Sequence, residues 1–264
     1  MHILVRDPEQ ASSQIHLGQY SNLVLGDAYE LGSNSAVSTG NGLFGQTEMP
    51  LSQLVADALA FMDFSPDFFD TEEKGMLTRA VHIFSRVNHD QRRKSGDWAG
   101  DHARCVAQEL YQAKFDPEVV IAGLLHDVPE DFHDPSIATI CRYFSERVGF
   151  LVEAVTRDYG SEILVYYNQI ALAAEAEPAV VFIKLFDNMS NLKTVLEVDD
   201  IDWRKRWIEK MINLSEHTYE RVRPIIAVKA ADRLALFDQV REENLAKARE
   251  IKRFLAAIQP KLPV

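Results

Sequence analysis

From Met49 onward, apolar residues recur at the three- and four-residue spacing of an amphipathic helix. The spacing is clearest over residues 51–59 and 77–87, and no stretch after residue 50 sustains the two-residue alternation of a strand. The sequence therefore predicts an all-α fold, a helical bundle of roughly ten helices. Besides the two stretches named, we expect helices near residues 101–114, 117–128, 135–148, 148–157, 161–174, 177–197, 202–219 and 224–257.

The first fifty residues lack this periodicity. Residues 14–31 contain two short apolar stretches broken by glycines, which fit a small hairpin or an irregular arm, and residues 32–47 are rich in Gly, Ser and Asn and predict a loop. We therefore expect three parts: an irregular N-terminal arm or loop over residues 1–50, a core domain over 51–200, and C-terminal helices over 201–264 that pack on the core.

The charge balance restricts the partners of the chain. Acidic residues outnumber basic ones by 40 to 28, so the net charge is −12. This argues against DNA or RNA as a partner, because phosphate backbones favour a basic surface. It leaves room for a small anionic substrate held by a local basic cluster and a bound cation.

The sequence lacks the features that are typical of membrane proteins and secreted proteins. No run of 18 apolar residues predicts a membrane span, and the N-terminal residues do not resemble a signal peptide. The two cysteines, Cys105 and Cys141, are too few for a disulfide framework and are expected to be reduced core thiols. These features predict a cytoplasmic protein without a membrane partner, and whether it forms a homo-oligomer stays open.

The most informative motif is LLHDVPED, residues 124–131. The apolar run before it predicts a buried helix that carries His126 and Asp127 at its end, with Glu130 and Asp131 one turn further on. Four ionisable groups beside a core helix are costly unless a partner such as a divalent metal compensates them. A capping His with a solvated acidic turn is the simpler alternative. Pro129 predicts that the helix ends or kinks here.

Two further segments supply residues of the same chemistry. His102 opens an amphipathic helix, and Asp187 ends the apolar run of residues 179–186. An Asp in so apolar a helix requires a cation or a strong donor, which is either a metal or a salt bridge to Lys184 or Lys193. Together the segments give His102, then His126-Asp127, then Asp187. Two imidazoles and two carboxylates suit a manganese-, iron- or magnesium-type ion better than a structural zinc.

This order of residues resembles that of the HD superfamily of metal-dependent phosphohydrolases. The resemblance narrows to the hydrolase domain of the RelA/SpoT family, including its small, manganese-dependent, hydrolase-only members, and covers roughly residues 78–197. It is carried by RRKSGDWAGDH (92–102), AGLLHDVPED (122–131), FSERVGFLVEAVTRD (144–158) and FIKLFDNMSNLKTV (182–195).

The resemblance implies an HD-domain core over residues 51–200 and a role for each matching residue. Mn²⁺, with Fe²⁺ or Mg²⁺ as alternatives, would be bound by His102, His126, Asp127 and Asp187. Glu130 and Asp131 would position or activate the attacking water. The nucleotide would contact Arg93, which packs on the base, together with Lys94, Ser95, Asn191 and Thr194.

The chain departs from the family pattern at a few positions. Asn188 stands where the family has Arg after the last metal-binding Asp, and Ser190 stands where it has His. A second segment, KAADRLALF at residues 229–237, makes Asp232 a rival to Asp187. We favour Asp187 because Asn191 and Thr194 follow it at the family spacing.

Three functions are compatible with these residues. The first is hydrolysis of the 3′-diphosphate of the alarmones of the stringent response, ppGpp and pppGpp, to give GDP or GTP and pyrophosphate. The second is an HD phosphohydrolase for another nucleotide, such as a nucleoside monophosphate or the phosphate of NADPH. The third is a non-catalytic, metal-bound nucleotide sensor, which the Glu130-Asp131 pair disfavours because a binder needs no further carboxylates beside the ion.

Overall fold

A computed structural model describes residues 51–131, 135–158 and 160–258. The expected N-terminal arm, residues 1–50, lies outside this range. The described residues are helical and contain no β-strand, apart from one isolated antiparallel bridge between Arg92 and Trp98. The predicted all-α fold is therefore confirmed. No helix in the described ranges is long and apolar enough to cross a membrane.

The chain divides into two compact units, residues 1–91 and 92–264. The described part of the first unit contains α1 (Leu51–Met62), a 3-10 turn (Pro66–Phe68) and α2 (Thr71–Asn88). Asp70 caps α2 by accepting a hydrogen bond from the Glu73 amide at 2.8 Å, and Glu73 accepts from the Asp70 amide at 2.8 Å. This reciprocal pair satisfies two amides at the helix start.

The second unit carries the remaining helices. The predicted boundaries at residues 50 and 200 remain predictions. The helices of this unit are α3 (Ala99–Gln112), α4 (Pro117–Leu125), α5 (Val128–Asp131), α6 (Ile137–Tyr143), α7 (Glu146–Val155), α8 (Ile163–Ala176), α9 (Ala179–Thr194), α10 (Ile201–Asn213), α11 (Tyr219–Lys229) and α12 (Leu234–Ala257).

Helix α4 is the centre of the second unit. Every residue from 119 to 125 is buried, and α4 packs against α3, α7 and α9. Asp116 caps it by accepting a hydrogen bond from the Val119 amide at 3.3 Å, with Pro117 in the first turn, as the sequence predicts. Its sequence is apolar all round because it has no solvent face.

Three predicted helices differ from the structure. The helix predicted over residues 117–128 ends at Leu125, and the chain makes a turn before resuming as α5. The helices predicted over 202–219 and 224–257 are instead α10, a π-helical segment (Leu214–Thr218), α11, a 3-10 turn (Ala231–Arg233) and α12. The reason is packing: α12 contacts both α9 and α10, which a straight continuation of α11 would not allow.

Gly123 allows α3 and α4 to approach closely, and we expect Gly123→Ala to lower the free energy of unfolding by about 1 kcal/mol. A Cβ there would lie 2.3 Å from Leu110 Cδ1, and Leu110 is fully buried, so overpacking outweighs the gain in helix propensity. Gly75→Ala is the matched control, since its Cβ meets only Arg79 Nη1 at 3.7 Å. Chemical denaturation should show stabilisation of the control by up to about 1 kcal/mol, and stabilisation of both variants would contradict this account.

Candidate metal centre

Four predicted residues come together from three segments of the second unit. His102 lies in the first turn of α3, His126 and Asp127 lie in the turn after α4, and Asp187 lies in the middle of α9. One ligand atom each from His102, His126 and Asp127 lie within 4.8 Å of one another, a group that could hold a metal ion. Asp187 Oδ1 lies 3.0 Å from His102 Nε2 and 3.8 Å from His126 Nε2.

His126 is oriented by the end of α4. Its Nδ1 donates a hydrogen bond to the Gly123 carbonyl at 2.8 Å, so the Nε2 atom turns towards the carboxylates. Nε2 is buried and makes no hydrogen bond to any described residue, although Asp127 Oδ1 lies 3.0 Å away. A buried ring nitrogen of this kind is a ready ligand for a cation.

His102 is oriented from α9. Its Nδ1 lies 2.9 Å from Ser190 Oγ, and its Nε2 faces Asp187 Oδ1 at 3.0 Å and Asp127 Oδ2 at 3.5 Å. The two imidazole rings meet edge to face with their centroids 5.3 Å apart. Both Nε2 atoms therefore point into the same small volume as the carboxylates.

Asp187 faces two different cationic positions. Its Oδ1 atom faces the imidazoles, and its Oδ2 atom accepts a hydrogen bond from Lys184, one turn earlier on α9. The sequence offered a metal or a salt bridge to Lys184 or Lys193 as alternatives. The structure contains the Lys184 pair at Oδ2, while Oδ1 faces the histidines and also accepts a hydrogen bond from Asn191. Lys193 instead pairs with Glu109 at 3.1 Å.

The electrostatics of the cluster are those of a cation site. Burial lowers the pKa of His102, but at His126 the charges of Asp127 and Asp187 outweigh burial and raise the pKa to about 10. Burial would raise the pKa of Asp187, but Lys184 and the two histidines hold it well below its ordinary value. The carboxylates therefore stabilise positive charge at the His126 ring, where a proton and a metal ion compete for the same place.

Two of the predicted nucleotide-binding residues lie beside the cluster. Arg93 donates a hydrogen bond to the Asn191 side chain, and Asn191 Nδ2 donates to Asp187 Oδ1. The other three make different contacts. Lys94 Nζ lies 4.8 Å from the Trp203 ring centroid, Ser95 Oγ donates to Asp97 at 2.9 Å, and the half-buried Thr194 ends α9.

The two predicted catalytic acids lie on α5, just after the turn that carries His126 and Asp127. Glu130 is exposed and accepts a hydrogen bond from the Arg157 amide at 3.2 Å. Partial burial and the negative charge of Asp127 raise its pKa. Asp131 is the last residue of α5, and its side chain lies outside the described part of the structure.

Asp232, the rival for the last ligand, lies in the 3-10 turn before α12. Its side chain is 81% exposed and sits 3.5 Å from its neighbour Arg233. Asp187, by contrast, is buried and its Oδ1 lies 3.0 Å from His102 Nε2.

Ser190 is the contact that sequence reasoning did not assign. It appeared only as a departure from a family pattern, yet it orients His102. Its spacing of three residues from Asp187 places it on the same helix face, which is the signal that could have identified it. Asn188 is likewise buried, and its Nδ2 donates to the Tyr219 hydroxyl at 2.9 Å rather than facing the cluster as a cation would.

The chain is similar in sequence to known proteins over about half of its length. A guanosine-3′,5′-bis(diphosphate) 3′-pyrophosphohydrolase of Aquifex aeolicus is 37% identical over 45% of this chain and 18% of its own length. A GTP pyrophosphokinase of Streptomyces antibioticus is 30% identical over 48% of this chain and 16% of its own length. A probable guanosine-3′,5′-bis(diphosphate) 3′-pyrophosphohydrolase of Synechocystis is 26% identical over 63% of this chain and 26% of its own length. The chain thus spans about a sixth to a quarter of these relatives.

The match to a protein family covers half of the chain. Residues 80–211 match the HD domain family, and they include all four residues of the cluster. A family of this kind implies a divalent metal, and His102, His126 and Asp127 form a group that could hold it, with Asp187 Oδ1 beside the two histidines. The chain therefore belongs to the HD domain family.

Proposed function

We propose that this protein hydrolyses the 3′-diphosphate of ppGpp and pppGpp and releases GDP or GTP and pyrophosphate. The observation that carries the proposal is the cluster of two oriented imidazoles and two carboxylates with Glu130 on the next helical turn. The names of the Aquifex and Synechocystis relatives support the choice of substrate. The Arg93–Asn191–Asp187 contacts support it too, because they connect the predicted nucleotide-binding loop to the cluster.

The residues present fit a divalent metal. His102, His126, Asp127 and Asp187 would hold it, and the buried His126 Nε2, which makes no hydrogen bond to any described residue, is the clearest sign of this fit. Two nitrogen and two oxygen donors suit Mn²⁺, Fe²⁺ or Mg²⁺, and among these the resemblance to manganese-dependent family members favours Mn²⁺. A divalent ion bound here would make water more acidic and offset negative charge on the phosphoryl group.

The carboxylates of α5 are proposed to handle the proton. A water oxygen attacks the phosphorus nearest the ribose, and the bond from that phosphorus to the ribose 3′-oxygen breaks. Glu130 accepts the proton of the attacking water, and its raised pKa makes it a better base near neutral pH than an ordinary carboxylate. The departing 3′-oxygen takes up a proton, which gives the free hydroxyl of GDP or GTP.

Arg93 and Asn191 are proposed to bind the nucleoside. A guanidinium stacks well on a purine because it is planar and weakly hydrated. In the structure the Arg93 guanidinium is held by Asn191, so its position relative to the cluster is set before substrate arrives. Binding would exchange part of this hydrogen bond for contact with the base and ribose.

One observation favours a second candidate, an HD phosphohydrolase for another nucleotide. Asn188 occupies the position where the alarmone hydrolases carry an arginine, and it is buried against Tyr219. The site therefore has one cation fewer for the substrate phosphates. Release of pyrophosphate from ppGpp, compared with release of phosphate from other nucleotides, distinguishes the two activities.

We expect Asp127→Asn and Asp187→Asn to lose bound Mn²⁺, because a neutral amide is a poor ligand for a hard divalent cation. Asp232→Asn is the matched control and should keep its metal. Metal content per chain after loading and dialysis measures this directly. Asp187→Asn should also unfold more easily by about 3–5 kcal/mol, since buried Lys184 loses its counter-charge. Wild-type metal content in Asp127→Asn would refute the site.

The contact between Ser190 and His102 should strengthen metal binding. We expect Ser190→Ala to weaken Mn²⁺ affinity by about 10- to 100-fold, because the hydroxyl orients the ring that supplies Nε2. Ser85→Ala is a suitable control, since Ser85 is equally buried and its hydroxyl bonds to no described residue. Equal Mn²⁺ dissociation constants for the two variants in a competition titration would show that Ser190 does not act on the metal.

Removing the carboxylates of α5 should slow the reaction without releasing the metal. For Glu130→Gln with Asp131→Asn we expect unchanged Mn²⁺ content and nucleotide affinity but a kcat lower by about 10²–10⁴. The control is the same loss of two charges on α12, where the exposed, adjacent residues Glu242 and Glu243 are changed together to Gln. Wild-type turnover of ppGpp by the first variant would refute the mechanism, and loss of metal would make these acids direct ligands.

A further inference from the structure

A second cavity lies in the same unit and shares no residue with the metal centre. It has a volume of about 330 Å³, within the range of small-ligand pockets. Its walls come from α8, α10, the π-helical segment and α11. Its lining includes Lys210 and Arg221, which carry positive charge, and the imidazole of His217.

The three acids next to the cavity residues in sequence are paired outside the cavity. Glu209, Glu216 and Glu220 alternate with the cavity residues along the chain, but each pairs with a basic residue of α12. Glu209 lies 2.7 Å from Lys252, Glu216 lies 2.6 Å from Arg249, and Glu220 pairs with Arg241. The helical arrangement thus separates the charges, with acids directed to α12 and basic side chains lining the cavity.

The positive charges of Lys210 and Arg221 are not paired with acids in the described part of the structure. Within the described ranges, no carboxylate forms an ion pair with Lys210, His217 or Arg221. Arg221 Nη1 donates to the Asn168 side-chain oxygen at 2.6 Å, which fixes the guanidinium but adds no negative charge. A local positive site is unusual in a chain of net charge −12, and it favours a small anion over a nucleic acid.

The α8 side of the cavity also contributes apolar surface, from Ile163, Leu164 and Tyr167. Leu164 lines the cavity and is 65% exposed, and Tyr167, one helical turn later on α8, lines it too. The Tyr167 hydroxyl donates to the Lys210 carbonyl at 2.9 Å, so its ring is held in place beside the basic residues. A ligand with a charged end and an apolar or planar body would match both walls.

We propose that this cavity binds a small phosphorylated molecule with an apolar or planar body, such as a nucleoside diphosphate. The phosphate would contact Lys210 and Arg221, because cations with several donors bind phosphate oxygens through charge-assisted hydrogen bonds. The body would cover Leu164 and the Tyr167 ring. This site is separate from the proposed hydrolysis, since it uses none of the residues of the metal centre.

The test is calorimetric titration of ADP, adenosine and pyrophosphate into the full, Mn²⁺-loaded chain. Lys210→Gln with Arg221→Gln should weaken one ADP-binding event by about tenfold or more, as expected when two charge-assisted hydrogen bonds are removed. Arg206→Gln with Arg253→Gln removes the same charge from exposed positions outside the cavity and should leave that event unchanged. Asp127→Asn should also retain it, which separates it from any binding at the metal centre.

The outcomes are distinct. The site is supported if only the Lys210/Arg221 variant binds ADP more weakly than the wild type and if the wild type binds adenosine less tightly than ADP. Leu164→Asp should then lower the ADP affinity as well, because it places a negative charge in the cavity. The proposal would be overturned by any of three results. These are equal ADP affinity in the wild type and the Lys210/Arg221 variant, equal affinities of the wild type for adenosine and ADP, and no ADP binding by the Asp127→Asn protein.

Discussion

The buried negative charge of Asp187 is the interaction on which the site depends. It lies near the middle of α9, a helix with eleven buried residues, where an uncompensated carboxylate would cost several kcal/mol. The protein compensates it from both sides, with Lys184 at one oxygen and the imidazoles at the other. Lys184 and the two imidazoles are therefore positioned where they balance this one charge. The volume between the Asp187 oxygens and the imidazole nitrogens becomes a position for a cation.

The second constraint is the point at which α4 ends. Because the helix stops at Leu125, His126 and Asp127 lie in a turn and both reach the same volume, which adjacent residues of a continuous helix would do less readily. The carbonyl of Gly123 then fixes the His126 ring, and the missing side chain of Gly123 lets α3 bring His102 close. Packing of α3 on α4 and orientation of the two histidines thus have a common origin.

Charge is distributed unevenly in this acidic chain. The carboxylates of the metal centre gather around buried cations, while Glu209, Glu216 and Glu220 face α12 and leave Lys210 and Arg221 to line a separate cavity. The net charge indicates an acidic surface. It does not reveal that acids and bases of the same helices lie on different faces.

The sequence by itself determined the helical class, the cap at Asp116 and the residues that meet at the metal centre, because helix periodicity and the cost of burying charge can be read from local patterns. It also left Asp187 between a metal and a salt bridge, and Asp232 as a rival. Only the tertiary structure showed that the two oxygens of Asp187 face different partners, that Ser190 orients His102, and that α11 and α12 are separate helices. These features depend on which helix faces pack together, and contacts between residues tens of positions apart leave no periodic signal in the chain.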